Sequence, residues 1–289
     1  MAQFTLTWQI GTQDTSRELK AFLKEKRISK RALAAIKFRG GRIRVNGSEE
    51  NVRYRLQAGD VVEIVFPKEI PSPSLQPDHI PFERIYEDGS LMVVNKPAFM
   101  NTIPSREHPS GSLANAIMGY YQESGTESAI HIVTRLDRNT SGLVLVAKNS
   151  YVHFLCSRMQ QKRLIHRVYE AFAEGIFAEK SGVIEAPIGR KDTSIIEREV
   201  RADGQFARTH YEVIRQFPDF AHVKLWLDTG RTHQIRVHLS HIGHPLAGDD
   251  LYGGSTELYS RQALHCSGLH FEHPISHQGM HFHSEVPFL

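Results

Sequence analysis

The stretch HIVTRLDRNTSGLVLVAKN, His131 to Asn149, holds one carboxylate, Asp137, two residues after Arg135 and just ahead of a polar turn and an apolar run. Its residue types admit three chemistries. Read as a calcium loop, Asp137 to Gly142 has acid or amide groups at alternate positions and glycine sixth, but the twelfth position, which must supply a bidentate Glu, is Lys148. Read as a turn, Asp137 would fold its carboxylate onto backbone amides. Read as a nucleophile, it would sit at the edge of the core, because Leu143 to Ala147 has the continuous apolarity of a buried strand. Arg135 would then share its face in an extended segment, and a carboxylate beside guanidinium groups stays ionised.

Two other stretches carry chemical side chains. RVYEAFAEG sets Tyr169 on an alternating strand, where a half-buried aromatic is the ordinary alternative. LDTGRTHQIRVHLSHIGHPLAGDDLYG reads as a strand ending in a glycine turn, then a helix with Thr232 as cap and Ile235, Leu239 and Ile242 on one face, stopped by Gly243 and Pro245. Histidines crowd LHCSGLHFEHPISHQGMHFH, yet no His-Glu-x-x-His or paired Cys-x-x-Cys accompanies them, so surface strands are expected there and no metal.

The elements that must position these residues follow from pattern. Of 289 residues, 40% are hydrophobic and 23% charged, enough for a large domain plus a small one. Cys156 and Cys266 are too few for a disulfide framework, no apolar run approaches a membrane span, and the N-terminus lacks a signal-peptide layout, so a soluble cytoplasmic protein is expected. Residues 1–66 carry 13 Lys or Arg against 7 Asp or Glu, while the rest carry 22 against 25, so the basic excess lies in the N-terminal quarter, as expected if that part touches a polyanion, with a solvated basic surface the alternative on charge alone. There, Leu19, Phe22 and Leu23 stand at helical spacing behind a possible Ser16 cap. A second helix has Ser29 as cap, Leu33 and Ile36 on one face and Gly40 at its end. Short strands follow, with an Asn46-Gly47 turn and a β-branched run from Val61 to Val65. Five prolines between Pro67 and Pro81 mark 67–81 as a semi-rigid linker. Residues 82–289 alternate strands with a few helices.

With these stretches in hand, a resemblance becomes specific. RLDRNTSGLVLVAK is similar to the signature loop of RluA-type RNA pseudouridine synthases, RVYEAFAEG resembles their tyrosine-bearing strand, and Gly230 to Gln234 resembles their Gly-Arg-Thr-His-Gln motif. The basic helices and compact strands of residues 1–66 resemble the S4 RNA-binding module. Thr134, Arg167 and the segment NKPAFMNTIP depart from the commoner family residues, which bears on substrate choice.

The resemblance implies an α+β pseudouridine synthase fold, with a mixed, largely antiparallel sheet, preceded by a small S4-like α/β domain. It implies conversion of uridine to pseudouridine in structured RNA, ribosomal RNA first and transfer RNA second, by a monomer. Asp137 would attack C1′ or deprotonate C2′, Arg231 would pair with Asp137, and Tyr169 would stack on the base and relay the C5 proton. Arg135 would fill the stack left by the extruded base, while Lys24, Lys30, Arg31 and Lys37 would contact phosphates. Because the reaction is an isomerisation, its stoichiometry demands no cofactor. A glycosidase would need a second spaced carboxylate, which does not declare itself. A non-catalytic RNA-binding or ribosome-assembly factor would make Asp137 dispensable.

Overall fold

In the computed structural model, which describes residues 3–288, the chain begins with β1, Thr5–Gln9, a strand the residue pattern alone left unassigned. α1, Leu19–Glu25, buries Leu19, Phe22 and Leu23 as their spacing predicts. Ser16 does not cap it. Ser16 takes φ 66°, Glu18 holds the N-cap position without a side-chain bond, and the amides of Leu19 and Lys20 donate instead to the carbonyls of Tyr54 and Val52. A loop from the far side of the unit thus satisfies the orphan donors of the first turn. α2, Lys30–Phe38, does start on its expected cap: Ser29 Oγ accepts from the Ala32 amide at 3.1 Å. Ile36 is buried and Leu33 partly so, and Gly40 at φ 88° leads out of the helix.

β2, Arg42–Val45, and β3, Ser48–Glu49, form a hairpin through Asn46 at φ 52° and Gly47 at φ 83°, the two left-handed residues that a tight turn between twisted strands requires. β4, Val61–Val65, lies between β1 and β2 in an antiparallel sheet ordered β1-β4-β2-β3. This unit abuts the rest of the molecule, with Tyr151 donating its hydroxyl to Lys26 O at 2.7 Å and stacking obliquely on Phe66.

Residues 67–81 form neither helix nor strand, as the prolines demand, yet they are fastened down. Glu69 takes His131 Nε2 at 2.5 Å and the Ser150 amide at 2.7 Å, Asn115 Nδ2 donates to Gln76 O at 2.8 Å, and the Gly111 amide donates to Asp78 at 2.6 Å. The segment therefore behaves as a strap across the larger body, with a fixed path.

That body follows in order: β5, Glu83–Glu87; β6, Leu91–Lys96; α3, Leu113–Glu123; β7, His131–Ile132; β8, Ser141–Ala147; and α4, Ser150–Gln161. Next come β9, Ile165–Glu174; β10, Ser181–Glu185; β11, Ile188–Arg190; β12, Arg198–Val200; β13, Arg208–Gln216; and β14, Phe220–Leu227. α5, Gln234–His241, β15, Leu264–Glu272, and β16, Gly279–His283, complete it. The main sheet runs β10-β13-β14-β9-β15-β8-β6-β5, with β16 on β15 and β7 on β8, while β11 and β12 form a separate hairpin. Among the described residues only the β8–β15 contact is parallel, so the sheet is mixed and largely antiparallel. No helix among the described residues is long and apolar enough to cross a membrane.

Every residue of β8 is buried, and Gly142 explains how it meets β15. At φ 116° its backbone presses so close to Cys266 that a Cβ would lie 2.3 Å from the Cys266 carbonyl oxygen, which leaves glycine as the residue that fits. The histidine-rich segment corrects its expectation. β15 is an interior strand, buried from Leu264 to Leu269, because it closes the gap between β8 and β9; only β16 alternates at the surface. Among the described residues no group of three or more His, Cys, Asp or Glu side chains could hold a metal ion.

His265, inside β15, bridges Ser141 Oγ at 2.8 Å and Ser284 Oγ at 3.1 Å. Burial, with Arg261 nearby, lowers its pKa to about 4. Its unfolded counterpart titrates near 6.5, so between these values the unfolded chain binds the extra proton and stability falls as pH falls. The loss is roughly 2–3 kcal/mol between pH 6.5 and 4. Thermal unfolding across that range should show a smaller acid loss in His265→Gln than in the native protein; parallel curves would refute the assignment.

Candidate active site

Asp137 sits in the loop that leads into β8. The residue before it is pinned: Thr102 Oγ1 donates to Leu136 O at 2.8 Å and accepts from the Leu136 amide at 3.1 Å, with Leu136 buried. The residue after it is pinned as well. Lys96, at the end of β6 and fully buried, sends its ammonium to Pro97 O at 2.8 Å, Met100 O at 2.7 Å and Arg138 O at 3.3 Å. Burial pulls Lys96 down to about 7, with the Asp137 charge opposing that pull. The loop's own turn closes through the Thr140 amide on Asp137 O at 3.1 Å. The Asp137 carboxylate takes no part in that turn, and among the described residues no backbone amide donates to it. The backbone is fixed while the carboxylate, 29% exposed, is left out of the turn's own hydrogen bonds.

What faces it comes from α5. Arg236 places Nη1 3.7 Å from Asp137 Oδ2, and His233 places Nε2 3.9 Å from the same oxygen. Arg236 is itself gripped by Asp249, Nε to Oδ2 and Nη2 to Oδ1 both at 2.7 Å, and its guanidinium lies 4.7 Å from the centre of the Tyr252 ring. Such a two-point grip fixes the plane of the guanidinium. Its remaining nitrogen is thereby aimed at Asp137. Burial works against the charge on Arg236, but the Asp249 hydrogen bonds and the Asp249 and Asp137 charges outweigh it, so its pKa is raised.

The expected pairing of Arg231 with Asp137 is corrected here. Arg231 is exposed and its Nε donates to Phe206 O at 3.0 Å. The reason is local: Gln234 Oε1 accepts from the Arg231 amide at 2.9 Å and from Thr229 Oγ1 at 2.8 Å, and Gln234 Nε2 donates to Arg208 O at 2.9 Å. Gln234 thus closes the glycine turn with Arg231 on its outer side. Thr232 is likewise not the helix cap; His233 holds that position at φ 58°. Arg236, which the sequence reading passed over, had one signal, a charged residue between Ile235 and Val237 on the helix face that Leu239 also buries.

Tyr169 lies on β9 as expected, buried, beside Cys266 and within electrostatic reach of Asp137. Burial raises its phenol pKa, so it remains a neutral donor. Arg167 lies 5.8 Å from the centre of its ring, next to the Gly230 turn. Arg135 is exposed and, among the described residues, makes no ion pair with Asp137. Lys24, Lys30, Arg31 and Lys37 are exposed on α1 and α2, and no acidic side chain among the described residues pairs with them.

The arrangement offers one partly open carboxylate, fixed at its backbone, faced by a buried cation and an imidazole and accompanied by a neutral phenol. This suits chemistry at an electrophilic carbon beside a ring that can stack. Comparison with known proteins agrees. Residues 90–241 match the family described as RNA pseudouridylate synthase. The chain is 47% identical over 269 residues to the Bacillus subtilis protein named uncharacterized RNA pseudouridine synthase YjbO, covering 93% of this chain and 95% of that one. It is 38% identical over 261 residues to the ribosomal large subunit pseudouridine synthase D of Pasteurella multocida, covering 85% and 80%. The solved structure of human RNA pseudouridylate synthase domain containing 1 shares the fold, with TM-score 0.61 and 24% identity over 76% of this chain and 87% of that one. A family match over more than half the chain, with relatives this similar along most of its length, makes it a member of the RNA pseudouridine synthase family.

Proposed function

We propose that this enzyme isomerises uridines in large-subunit ribosomal RNA, with Asp137 as the reacting carboxylate. The observation that carries the reading is the immobilised loop around a carboxylate that makes no bond within its own turn. In the reaction the N1–C1′ bond breaks, the detached uracil turns, C5 bonds to C1′, and the C5 proton leaves while N1 gains one. Asp137 would start this by attack at C1′ or by removing the C2′ proton, which returns later. Arg236 would orient the carboxylate and stabilise the negative charge whenever it reappears there. Tyr169 would stack on the uracil, and its neutral phenol would pass on the C5 proton. Arg135, exposed beside the loop, would enter the gap left by the extruded nucleotide.

Ribosomal RNA is preferred over transfer RNA because several of the similar relatives are named ribosomal large subunit pseudouridine synthase D. Residues 1–66 would act as an S4-like RNA-binding unit, with Lys24, Lys30, Arg31 and Lys37 on phosphates, and the enzyme would work as a cytoplasmic monomer.

Tritium release from C5-labelled uridine, in ribosomal and transfer RNA fractions of cells lacking this protein, tests the reading. Release from ribosomal RNA by the native enzyme and none by Asp137→Asn is expected; equal release by both would sink the role of Asp137, and release from transfer RNA alone would reassign the substrate. Asp249→Asn, which weakens the hold on Arg236, should lower kcat about 100-fold with little change in KM. Lys30→Glu with Arg31→Glu should weaken RNA binding and flatten its salt dependence by a slope of about 1–2. An unchanged slope would remove the N-terminal helices from the interface.

A further inference from the structure

His233 stands at the first turn of α5 in a conformation that costs energy, φ 58° and ψ 19°, and its side chain is almost wholly enclosed. A histidine held in left-handed backbone at that point calls for a reason. Its two ring nitrogens face different partners. Nδ1 lies 2.7 Å from the Tyr252 hydroxyl, and Nε2 faces the Asp137 carboxylate at 3.9 Å. Tyr252 is engaged on its other side as well, where its oxygen accepts the Arg198 amide of β12 at 3.0 Å.

The proton positions follow from counting donors. Burial lowers the His233 pKa, with Asp137 and Asp249 opposing and Arg236 and Arg198 assisting, so the ring carries one proton at neutral pH. Burial raises the Tyr252 pKa, so its phenol keeps its hydrogen. The phenol oxygen already accepts from Arg198, and among the described residues the acceptor in reach for its own hydrogen is Nδ1. Nδ1 then contributes a lone pair, and the ring proton must sit on Nε2, facing the carboxylate. The opposite tautomer would set a lone pair against Asp137 and strand the tyrosine hydrogen.

We infer that Tyr252, held by the β12 backbone, locks His233 as the Nε2–H tautomer, making His233 a positioning residue that holds the Asp137 carboxylate beside Arg236. This rests on the reading of Asp137 as the reacting group. No proton passes through the ring; its N–H closes on the carboxylate when substrate enters, and again when the charge returns to Asp137 as the intermediate resolves. The β11–β12 hairpin is thereby tied to the reacting carboxylate through one amide, one phenol and one imidazole.

Two readouts test this in the full-length protein. Long-range proton–nitrogen NMR on histidine-labelled enzyme, with His233 assigned by its loss in His233→Asn, should show a bare Nδ1 and a protonated Nε2, and Tyr252→Phe should abolish that preference. A protonated Nδ1 in the native protein would overturn the inference. Since this measurement needs no turnover, inactivity toward ribosomal RNA would count against the proposed substrate and leave the tautomer result standing.

Kinetically, with the C5-tritiated ribosomal RNA as probe, Tyr252→Phe should lower kcat about 10-fold with KM unchanged. His233→Gln, whose amide can reach the place of Nε2, should stay within about 3-fold of native, while His233→Asn should fall as far as Tyr252→Phe. A purely structural role predicts the reverse order, because asparagine tolerates left-handed backbone better than glutamine. A finding that Asn matches or exceeds Gln, or that Tyr252→Phe is as active as the native enzyme, would overturn the inference.

Discussion

The buried pair of Arg236 and Asp249 is the interaction on which the site depends. Asp249 is fully enclosed and Arg236 nearly so, and two charges taken out of water repay their desolvation only when geometry and hydrogen bonding are near ideal. Here both oxygens of one partner meet two nitrogens of the other. Because that grip fixes the guanidinium plane, the third nitrogen has a defined direction, toward Asp137. A pair of this kind adds little to stability compared with an apolar replacement. Its value lies in bringing α5 and the turn after it to one place relative to the β8 loop.

The loop is fixed by different means. Thr102 and Lys96 fasten the backbone on either side of Asp137, and Gly142 lets β8 approach β15 closely enough for the parallel contact that joins the two parts of the sheet. Each device acts on main-chain atoms and leaves the carboxylate free. Rigid backbone with an uncommitted side chain would serve the reacting role proposed for Asp137, since any hydrogen bond within the turn would have to be broken before chemistry.

The N-terminal unit is joined to this body more firmly than its proline-rich connection suggests. Tyr151 on α4 contacts both Lys26 and Phe66, and the strap is held at Glu69, Gln76 and Asp78. Any RNA bound by the basic helices would therefore meet the catalytic body in a set orientation. Ordering a flexible tether would otherwise oppose binding.

Much of this was legible in the chain itself. The spacing of Leu19, Phe22 and Leu23, the Ser29 cap, the Asn46-Gly47 turn and the unbroken apolar run before Ala147 depend on neighbours within a few residues, so local physics places them. Asp137 and Tyr169 stood out because their stretches carry family motifs. What tertiary structure decided was which distant groups meet. Gln234 turns Arg231 outward, Asp249 turns Arg236 inward, His233 stands where Thr232 was expected as cap, and β15 is interior because it fills the gap between two strands far apart in sequence. A linear pattern records which face of a helix or strand is apolar; it does not record which partner a charged side chain will find across the fold, because that choice is made by contacts between segments tens of residues apart.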